Sequence, residues 1–415
     1  MKILHTSDWH IGKILYGRKR YDEFEAFLLW LAETICKERV DVLLVAGDIF
    51  DTSTPSNRAQ ELYYRFLCRI AKSPCRHVIV IAGNHDSPTF LDAPKELLHA
   101  LDVHVIGSVS ENCEDEVLVL NDQHGVPELI VCAVPYLRDR DIRIANVGES
   151  IDDKGRKLIE GIKTHYAEVC SIAEQKRKQL VTDYPRNKDI PIVAMGHLFA
   201  AGGKTIEGDG VRELYVGSLA HVSSGIFPAC IDYLALGHLH VPQFINQSET
   251  MRYSGSPLPM GFGEANQEKS VCLVAFTGLK ASVSLITIPV FQQLKRLRGN
   301  RDAILAEILV LAEAQSQAWL EVIYDGEAVA GDLRECFEAA VLGTGLQILR
   351  IKHNRIFDRA LNQKQVDETL DDLNVTDVFE RCLSVHNIPE DQRKELLYTY
   401  QETITFLNDV DALAE

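Results

Sequence analysis

The sequence predicts an α/β fold in which a two-sheet β-sandwich is flanked by helices and followed by a small α/β capping domain and C-terminal helices. Short β-branched runs alternate with amphipathic segments through the first half of the chain, a pattern typical of layered α/β proteins. More strand-like runs follow and indicate a second sheet stacked on the first. A change of character after Pro289 marks the end of the large domain.

The first sheet is predicted from four runs rich in Val, Ile and Leu. Two helices between them carry apolar residues at helical spacing, such as Phe24 and Phe27 in the first and Leu62 and Phe66 in the second. Both helices are expected to cover the sheet or a partner surface. The strands are expected at 2–6, 40–46, 77–82 and 103–106, and the helices at 21–39 and 56–72.

The second sheet is predicted from six later runs. A helix over 153–180 interrupts them, and we expect it outside the sandwich because the face opposite its apolar stripe is charged. The strands are expected at 129–134, 190–195, 233–236, 251–254, 271–276 and 282–288.

Beyond residue 290 the pattern predicts smaller units. The polar, basic segment 292–301 is expected to be a linker. A compact βαβ-like cap and two further helical patterns follow it. The cap is expected to have helices at 302–315 and 331–342 and strands at 319–324 and 346–352, with tail helices at 375–385 and 389–407. The domains are therefore expected at 1–290, 291–360 and 361–415.

The composition is that of an ordinary globular protein, with 46% hydrophobic and 25% charged residues, which argues against disorder. No stretch reaches the roughly eighteen uninterrupted apolar residues of a membrane span. We therefore expect a cytoplasmic protein with no membrane association. The ten cysteines form no C-x-x-C pair and are expected to be reduced, buried packing residues.

The net charge of −17 argues at first sight against a nucleic-acid partner, because Lys and Arg supply most of the non-specific affinity for phosphates. Residues 361–415, however, hold 13 acidic and only 4 basic side chains. The rest of the chain is only mildly acidic, and bound divalent cations would offset that charge locally. The acidic tail suits a protein partner better than DNA.

Five groups of polar residues each follow an apolar strand, where strand ends converge at the carboxyl edge of an α/β sheet. Each group alone has an ordinary explanation, such as a surface loop, a helix cap or a structural histidine. Five in this order are not explained by packing, and together they indicate metal binding. The groups are Asp8-Trp9-His10, Gly47-Asp48-Ile49-Phe50-Asp51, Gly83-Asn84-His85-Asp86, Gly196-His197 and Gly237-His238-Leu239-His240.

These five blocks resemble those of the calcineurin-like metallophosphoesterase superfamily, whose members share them on a two-sheet sandwich. Within it, the opening block and the segment Tyr253-Ser254-Gly255-Ser256-Pro257-Leu258-Pro259 are similar to the SbcD family of nuclease subunits, and the resemblance extends over essentially the whole chain. It implies two metal ions: one held by Asp8, His10 and His240, the other by Asn84, His197 and His238, with Asp48 bridging them. Carboxylate, amide and imidazole ligands suit Mn²⁺, which the resemblance makes the first choice, although ligand type alone leaves Fe and Zn open.

The same resemblance implies a catalytic role for His85, which would bind no metal, stabilise the pentacovalent phosphorane and help to protonate the departing sugar oxygen. Asp86 is expected to orient His85, or else to cap the turn ahead of Pro88. Asp51 stands where some relatives carry histidine, and its role stays open. The segment 253–259 is expected either to face the nucleic-acid backbone or to pack beneath the metal site.

The resemblance also implies an ATP-regulated nuclease that acts on double-stranded DNA ends and hairpins, with 3′-5′ exonuclease and single-strand endonuclease activity, in recombination, replication and repair. The cap would face DNA, and the tail helices would bind an SbcC-type SMC-like ATPase. A homodimer within a heterotetramer is expected through the helices at 56–72 and 90–101, unless their apolar residues only face the sheet. The candidate contacts are Leu62, Phe66, Leu97, Leu98 and Leu101 for the dimer, and Val378, Phe379, Leu383, Leu396, Leu397 and Tyr400 for the ATPase.

Two other functions are weighed against this interpretation. A metallophosphodiesterase or phosphatase of small or protein substrates would use the same chemistry, but a minimal phosphatase needs neither the cap nor the acidic tail. A non-catalytic scaffold that has lost its metals would not be expected to keep all seven ligand positions and His85.

Overall fold

The computed structural model describes residues 1–142, 151–199, 224–245, 247–326 and 330–353, together with eight positions between 379 and 400. The chain divides into two compact units, Met1–Phe291 and Gln292–Glu415. The predicted boundary at 360/361 and most of the two predicted tail helices lie outside the described residues. In the described part of the chain, no helix has the length and apolar character that a membrane crossing requires.

The first unit contains fourteen strands and six helices within the described residues. The strands are β1 (Lys2–Thr6), β2 (Ile14–Leu15), β3 (Arg18–Lys19), β4 (Val42–Ala46), β5 (His77–Ile81), β6 (Val103–Ile106), β7 (Val117–Asn121), β8 (Pro127–Ala133), β9 (Ile192–His197), β10 (Tyr233–Gly237), β11 (Gln243–Ile245), β12 (Ser248–Tyr253), β13 (Ser270–Thr277) and β14 (Lys280–Thr287). The helices are α1 (Tyr21–Glu38), α2 (Asn57–Ile70), α3 (Pro88–Asp92), α4 (Lys95–His99), α5 (Asp139–Ile142) and α6 (Ile151–Asp183).

Two six-stranded sheets form a sandwich, as the sequence predicted. The first has the order β14-β13-β1-β4-β5-β6, and the second has the order β11-β12-β10-β9-β8-β7. Strands β1, β4, β5 and β6 are mutually parallel, as are β8, β9, β10 and β12. Fully buried side chains of both sheets meet between them, including Leu44 and Ile79 from the first and Val193 and Tyr233 from the second. The parallel strands therefore end at a common edge.

Helices cover the outer faces of the sandwich. Helix α1 buries Phe24 and Phe27 against the first sheet, and α2 adds Phe66 to the same cluster. Helix α2 begins after Ser56, whose Oγ accepts a hydrogen bond from the Ala59 amide at 3.2 Å, a standard N-cap. Helix α6 packs Tyr166 against the second sheet. The apolar stripes of these helices therefore pack on the sandwich.

The sheet membership of two strands differs from the prediction. Strands β13 and β14 belong to the first sheet and not the second: β13 runs antiparallel to β1, with His5 opposite Cys272. The sequence pattern shows which side chains are buried but does not identify the neighbouring strand. Strands β2, β3, β7 and β11 were not predicted. The helix expected over 90–101 is two short helices, α3 and α4, separated at Pro94, which cannot continue an α-helix from its N-terminal side.

The cysteine prediction holds in part. All nine cysteines among the described residues are free thiols. Cys36 and Cys68, however, are exposed and do not pack in the core as expected. They lie in amphipathic helices, where the position of a residue around the helix axis decides its burial.

The second unit contains β15 (Leu294–Gly299), α7 (Arg301–Glu313), β16 (Trp319–Tyr324), α8 (Ala330–Val341) and β17 (Gln347–His353). The three strands form a parallel sheet in the order β15-β16-β17. The prediction of a linker over 292–301 is wrong, because β15 is part of this sheet. Its Leu294 and Leu297 are buried, but the cationic residues between and around them hide the apolar pattern.

Substitution in β15 tests this assignment. Leu297→Ala should lower the free energy of unfolding of the second unit by roughly 2–5 kcal/mol, because it opens a cavity in a packed core. Leu309→Ala on α7 is the control: Leu309 is 59% exposed, and its loss should cost less than about 0.5 kcal/mol. Urea unfolding of the full chain, followed by circular dichroism, provides the comparison. Equal stability of the two variants would contradict a core position for Leu297.

Candidate metal centre

The five predicted groups lie at the ends of neighbouring strands. Asp8 follows β1, Asp48 follows β4, and Asn84 and His85 follow β5, while His197 ends β9 and His238 follows β10. The loops after β1 and β4 are hydrogen-bonded to each other: the Asp8 amide donates to the Gly47 carbonyl at 3.0 Å and the His10 amide donates to the Asp48 carbonyl at 2.9 Å. The two sheets thus deliver all five groups to one edge of the sandwich.

Alternation within the first and last groups separates ligand candidates from core residues. Trp9 is fully buried and packs edge-on against Phe27 and Phe66, while Asp8 and His10 on either side of it face the site. Leu239 lies in the core of the second sheet, between His238 and His240. In each of these two loops the middle residue, Trp9 or Leu239, packs in the core, and the residues on either side of it face the site.

Backbone conformation at the site is unusual. Four non-glycine residues of the site have positive φ angles: 53° at Asp8, 47° at His10, 51° at Asp48 and 101° at His238. Such conformations cost of order 1–3 kcal/mol each and persist where the surroundings impose them. At Gly237 the approach is so close that a Cβ atom would overlap the Ala46 carbonyl oxygen. Close strand ends and strained loops thus position the polar side chains.

Three side chains form the first half of the site. Ligand atoms of Asp8, His10 and His240 all lie within 4.8 Å of one another, and all three residues are buried. The Nε2 atoms of His10 and His240 are 3.2 Å apart.

Three other side chains form the second half. The Asn84 amide oxygen lies 3.0 Å from His197 Nε2 and 3.0 Å from His238 Nδ1. Asp8 approaches this half too, since its Oδ1 accepts the His238 backbone N–H at 2.8 Å.

Asp48 lies between the two halves. Its Oδ2 is 3.5 Å from His10 Nε2 and 3.3 Å from His197 Nε2. Its Oδ1 accepts the His85 backbone N–H at 2.9 Å. One carboxylate oxygen therefore contacts one imidazole of each half, which is the position that a bridging ligand needs.

Acceptors behind the imidazoles fix which ring nitrogen faces the site. His197 Nδ1 donates to the Ala46 carbonyl at 2.9 Å, and His240 Nδ1 donates to Glu264 Oε1 at 3.3 Å. His10 Nδ1 lies 3.4 Å from Asp51 Oδ1. With Nδ1 protonated, the Nε2 lone pair of each ring points into the site, as a metal ligand requires. Buried carboxylates and inward-facing lone pairs together fit a pair of divalent cations.

The buried carboxylates also control protonation. Burial alone would raise the pKa of Asp48, but His197 and His10 hold it well below its usual range. Burial alone would lower the pKa of His197, but the Asp48 carboxylate raises it to about 9. Burial, together with His197, lowers the pKa of His238 to about 3. A proton on His197 and a divalent cation would therefore compete for the same negative charge.

His85 lies beside the first half, with its ring centroid 4.8 Å from that of His10. Its Nδ1 contacts the Asp51 backbone carbonyl at 2.8 Å, which leaves Nε2 as the nitrogen for another group. Burial lowers its pKa, although the nearby Asp48 carboxylate opposes this shift. His85 is therefore held by the backbone of the Asp51 loop.

Asp86 does not occupy the place expected for it behind His85. Its carboxylate accepts hydrogen bonds from the backbone amides of Ile49, Phe50 and Gly83 at 2.9–3.1 Å. The turn is capped instead by Ser87, whose Oγ accepts from the Phe90 amide. Burial and the neighbouring Asp48 raise the pKa of Asp86 to about 6. Asp86 therefore ties the loop after β4 to the loop after β5, and so places Asp48 beside Asn84.

Asp51, whose role the sequence left open, contacts two cationic or potentially cationic groups. It lies near His10 and accepts a hydrogen bond from Lys13 Nζ at 2.9 Å. Although burial opposes it, these partners lower the pKa of Asp51, so the group is ionised. Asp51 thus places a carboxylate at ion-pair distance from His10, without the hydrogen bond that Glu264 accepts from His240.

The segment 253–259 packs beneath the site, the second of the two alternatives. Residues 253–258 are buried, and Ser254 Oγ lies 2.8 Å from Ser7 Oγ. Glu264 and Lys269 behind it were missed by the sequence reasoning. Glu264 is fully buried, pairs with Lys269 and receives the His240 ring N–H. Neither residue belongs to a polar group that follows an apolar strand, and so no sequence signal singled them out.

Two family models match this chain. Residues 1–242 match the model described as calcineurin-like phosphoesterase. Residues 290–387 match the model described as the type 5 capsule protein repressor C-terminal domain. The first match contains every candidate ligand from Asp8 to His240.

Curated relatives are similar over most of the chain, and those compared are SbcD subunits of the nuclease SbcCD. The SbcD subunit of Escherichia coli (strain K12) is 33% identical over 411 residues, which cover 97% of this chain and 98% of the relative. That of Rhodobacter capsulatus is 35% identical over 316 residues, 74% of each chain. That of Bacillus subtilis (strain 168) is 36% identical over 278 residues, 66% of each chain.

Glu264 provides a test of the support behind the histidines. Glu264→Gln should weaken Mn²⁺ binding roughly 10–100-fold, because His240 loses the carboxylate that fixes its ring. Titration calorimetry on metal-free protein measures the change. The control is Glu268→Gln, four residues away, where the carboxylate is exposed and accepts a hydrogen bond from Thr287.

Glu264→Gln also leaves Lys269 without its anionic partner, so the double variant Glu264→Gln/Lys269→Met is needed. It should bind Mn²⁺ as weakly as the single variant. Wild-type affinity in the double variant would show that Lys269, and not the lost support of His240, caused the effect.

Proposed function

The chain belongs to the calcineurin-like phosphoesterase family and, within it, to the SbcD family of nuclease subunits, and it is therefore a hydrolase of phosphodiester bonds. We propose that it cuts DNA with two Mn²⁺ ions at the site around Asp48. The observation that carries this proposal is the position of Asp48 Oδ2, within 3.5 Å of His10 Nε2 and 3.3 Å of His197 Nε2. Burying a carboxylate between two imidazoles is costly, and packing of a hydrophobic core does not explain such an arrangement.

The ligand sets follow from the two halves of the site. Asp8, His10 and His240 would hold one cation, Asn84, His197 and His238 would hold the other, and Asp48 lies where it would contact both. The mixture of carboxylate, amide oxygen and imidazole fits the proposed Mn²⁺ better than Ca²⁺, which prefers oxygen alone, or a structural zinc, which prefers sulfur or nitrogen.

When bound, a pair of divalent cations lowers the pKa of a water molecule and neutralises the charge of a phosphodiester during in-line displacement. The chain's own residues orient this chemistry. Glu264 and the Ala46 carbonyl fix the rings of His240 and His197, and the Asp51 carboxylate lies 3.4 Å from His10 Nδ1. Asp86 fixes the loops that carry Asp48 and Asn84. The ligands are therefore preorganised before substrate arrives.

His85 is the proposed catalytic acid. Its Nδ1 is held by the Asp51 carbonyl, so Nε2 is the nitrogen that would meet a phosphate oxygen or the departing sugar oxygen. Burial favours its neutral form. An approaching phosphodiester adds negative charge and favours the protonated form, which then donates the proton to the leaving group.

The positive charge on one face of the sheet in the second unit favours binding of a nucleic acid. Arg296, Glu321 and Arg350 stand opposite one another across the three strands. Glu321 is 1% exposed and lies 2.7 Å from Arg296, 3.7 Å from Arg350 and 3.2 Å from Lys352. Three cations around one carboxylate leave a net positive face, which suits phosphate contacts. We assign this face to the DNA backbone.

The acidic tail and the helices after β5 are the proposed partner surfaces. The relatives are subunits of a complex named SbcCD, and we propose that the acidic tail binds an SbcC-type ATPase. Phe379 and Tyr400, one from each predicted tail helix, stack with ring centroids 3.9 Å apart. Of the residues proposed to contact the ATPase, Val378 lies outside the described part of the chain. Leu383 is buried, and Leu396 is 39% exposed.

For the homodimer, part of the expected surface is excluded. Leu62, Phe66 and Leu98 are buried in the core of the first unit, as the alternative interpretation held. Leu97 is 72% exposed and Leu101 is 37% exposed. We therefore propose that a dimer contact in this region uses Leu97 and Leu101.

The DNA proposal and its runner-up, hydrolysis of small or protein phosphoesters, differ in substrate. With Mn²⁺, the full chain should cleave a hairpin DNA faster than a phosphoprotein or p-nitrophenyl phosphate. Cleavage should disappear with a chelator and return when Mn²⁺ is added back. Faster turnover of the phosphoprotein would contradict the assignment to DNA.

His85 has a separate test. His85→Gln should lower the rate of hairpin cleavage roughly 10²–10⁴-fold, because the proton donor is lost, while Mn²⁺ still binds with wild-type stoichiometry. His124→Gln is the control, since His124 lies exposed in the turn between β7 and β8. Cleavage by His85→Gln at the control rate would show that His85 is not the catalytic acid. Loss of Mn²⁺ binding in this variant would show that His85 is a metal ligand.

A further inference from the structure

A second group of imidazoles lies at the opposite end of β5 from the candidate metal centre. His77 is the first residue of β5, while Asn84 and His85 follow its last residue. Strand β5 alone spans five residues, which corresponds to roughly 15 Å between its two ends. The two sites are therefore independent.

Strand register brings three side chains of this second group together. Ile79 of β5 stands opposite His104 of β6, and the Val78 amide donates to the Asp102 carbonyl at 3.0 Å. Because side chains alternate along a strand, His77 shares a face with Ile79, next to His104. Asp102 directly precedes β6. Ligand atoms of His77, Asp102 and His104 all lie within 4.8 Å of one another.

One ring nitrogen of His77 has no hydrogen-bond partner among the described residues. Its Nε2 lies 2.9 Å from the Asn121 backbone carbonyl, which can only accept, so Nε2 carries the proton. Its Nδ1 then presents a lone pair. That atom is buried and has no hydrogen-bond partner among the described residues. An imidazole that donates one N–H to a backbone carbonyl and turns the other nitrogen inward has the arrangement of a metal ligand.

The surroundings provide the remaining donors. His104 is half-buried on β6, and its ring centroid lies 6.3 Å from that of His77. His99, at the end of α4, is exposed, and its ring centroid lies 5.0 Å from that of His104. Asp102 is exposed and supplies the carboxylate.

We propose that His77, Asp102 and His104 bind a Zn²⁺ ion, with His99 available as the fourth ligand. Two or three imidazoles and one carboxylate are ligands that zinc accepts in tetrahedral geometry. Ligand atoms around tetrahedral zinc lie about 3.3 Å apart, so the group needs to contract by at most about 1.5 Å, which the exposed Asp102 allows. The ion links β5, β6 and the end of α4.

Zinc content of the full chain tests the proposal. After equilibrium dialysis at a fixed buffered concentration of free Zn²⁺, wild type should retain one more Zn²⁺ per chain than His104→Gln. The candidate metal centre is unchanged in both proteins, so the difference reports the second site alone. His124→Gln, an exposed histidine outside the group, should match wild type.

Asp102→Asn is the second variant, because an exposed asparagine tolerates the φ of 55° found there and the fold is preserved. It should also retain less Zn²⁺ than wild type. Equal zinc content in wild type, His104→Gln and Asp102→Asn would overturn the proposal, as would an equal loss in His124→Gln. Thermal unfolding of each variant without zinc checks that any loss is not due to misfolding.

Discussion

The structure of the first unit depends on burying two carboxylates, Asp8 and Asp48, where the ends of five strands meet. Burying a charge is costly unless it is paired. The His238 and His85 backbone N–H groups each satisfy one oxygen of Asp8 and Asp48, and Asp48 Oδ2 lies between the imidazoles of His10 and His197. Bound divalent cations would pair with the carboxylates and accept the Nε2 lone pairs of the imidazoles. This requirement also accounts for the local conformation. The positive φ angles of Asp8, His10, Asp48 and His238 are tolerated because each turns a ligand candidate toward the same point.

A second layer of residues holds the first in place, and it is built from unrelated parts of the fold. Glu264 reaches His240 from a turn before β13, Asp51 reaches His10 from the loop after β4, and the Ala46 carbonyl reaches His197 from the end of β4. Asp86 joins two loops by three backbone hydrogen bonds. Each of these contacts fixes an orientation and supplies no ligand. Activity should therefore be sensitive to substitutions that leave all seven proposed ligands intact.

The sequence predicted the sandwich and the meeting of the five groups, because both depend on local patterns. Apolar runs identify strands, and a polar group directly after a parallel strand lies at the shared edge of the sheet. The errors concern contacts between distant parts of the chain. Tertiary packing decides the pairing of β13 with β1, the position of Glu264 behind His240 and the contacts of Asp86. The spacing of residues in the sequence does not reveal such contacts. The linker predicted over 292–301 failed for another reason: cationic residues on the exposed face of β15 mask the buried Leu294 and Leu297.

The claim of a bridged pair of cations is tested most directly by anomalous diffraction from crystals soaked in Mn²⁺. We expect two anomalous peaks roughly 3.5–4 Å apart, one beside Asp8, His10 and His240, the other beside Asn84, His197 and His238, with Asp48 contacting both. A single peak, or two peaks that do not share Asp48, would contradict this account of the site.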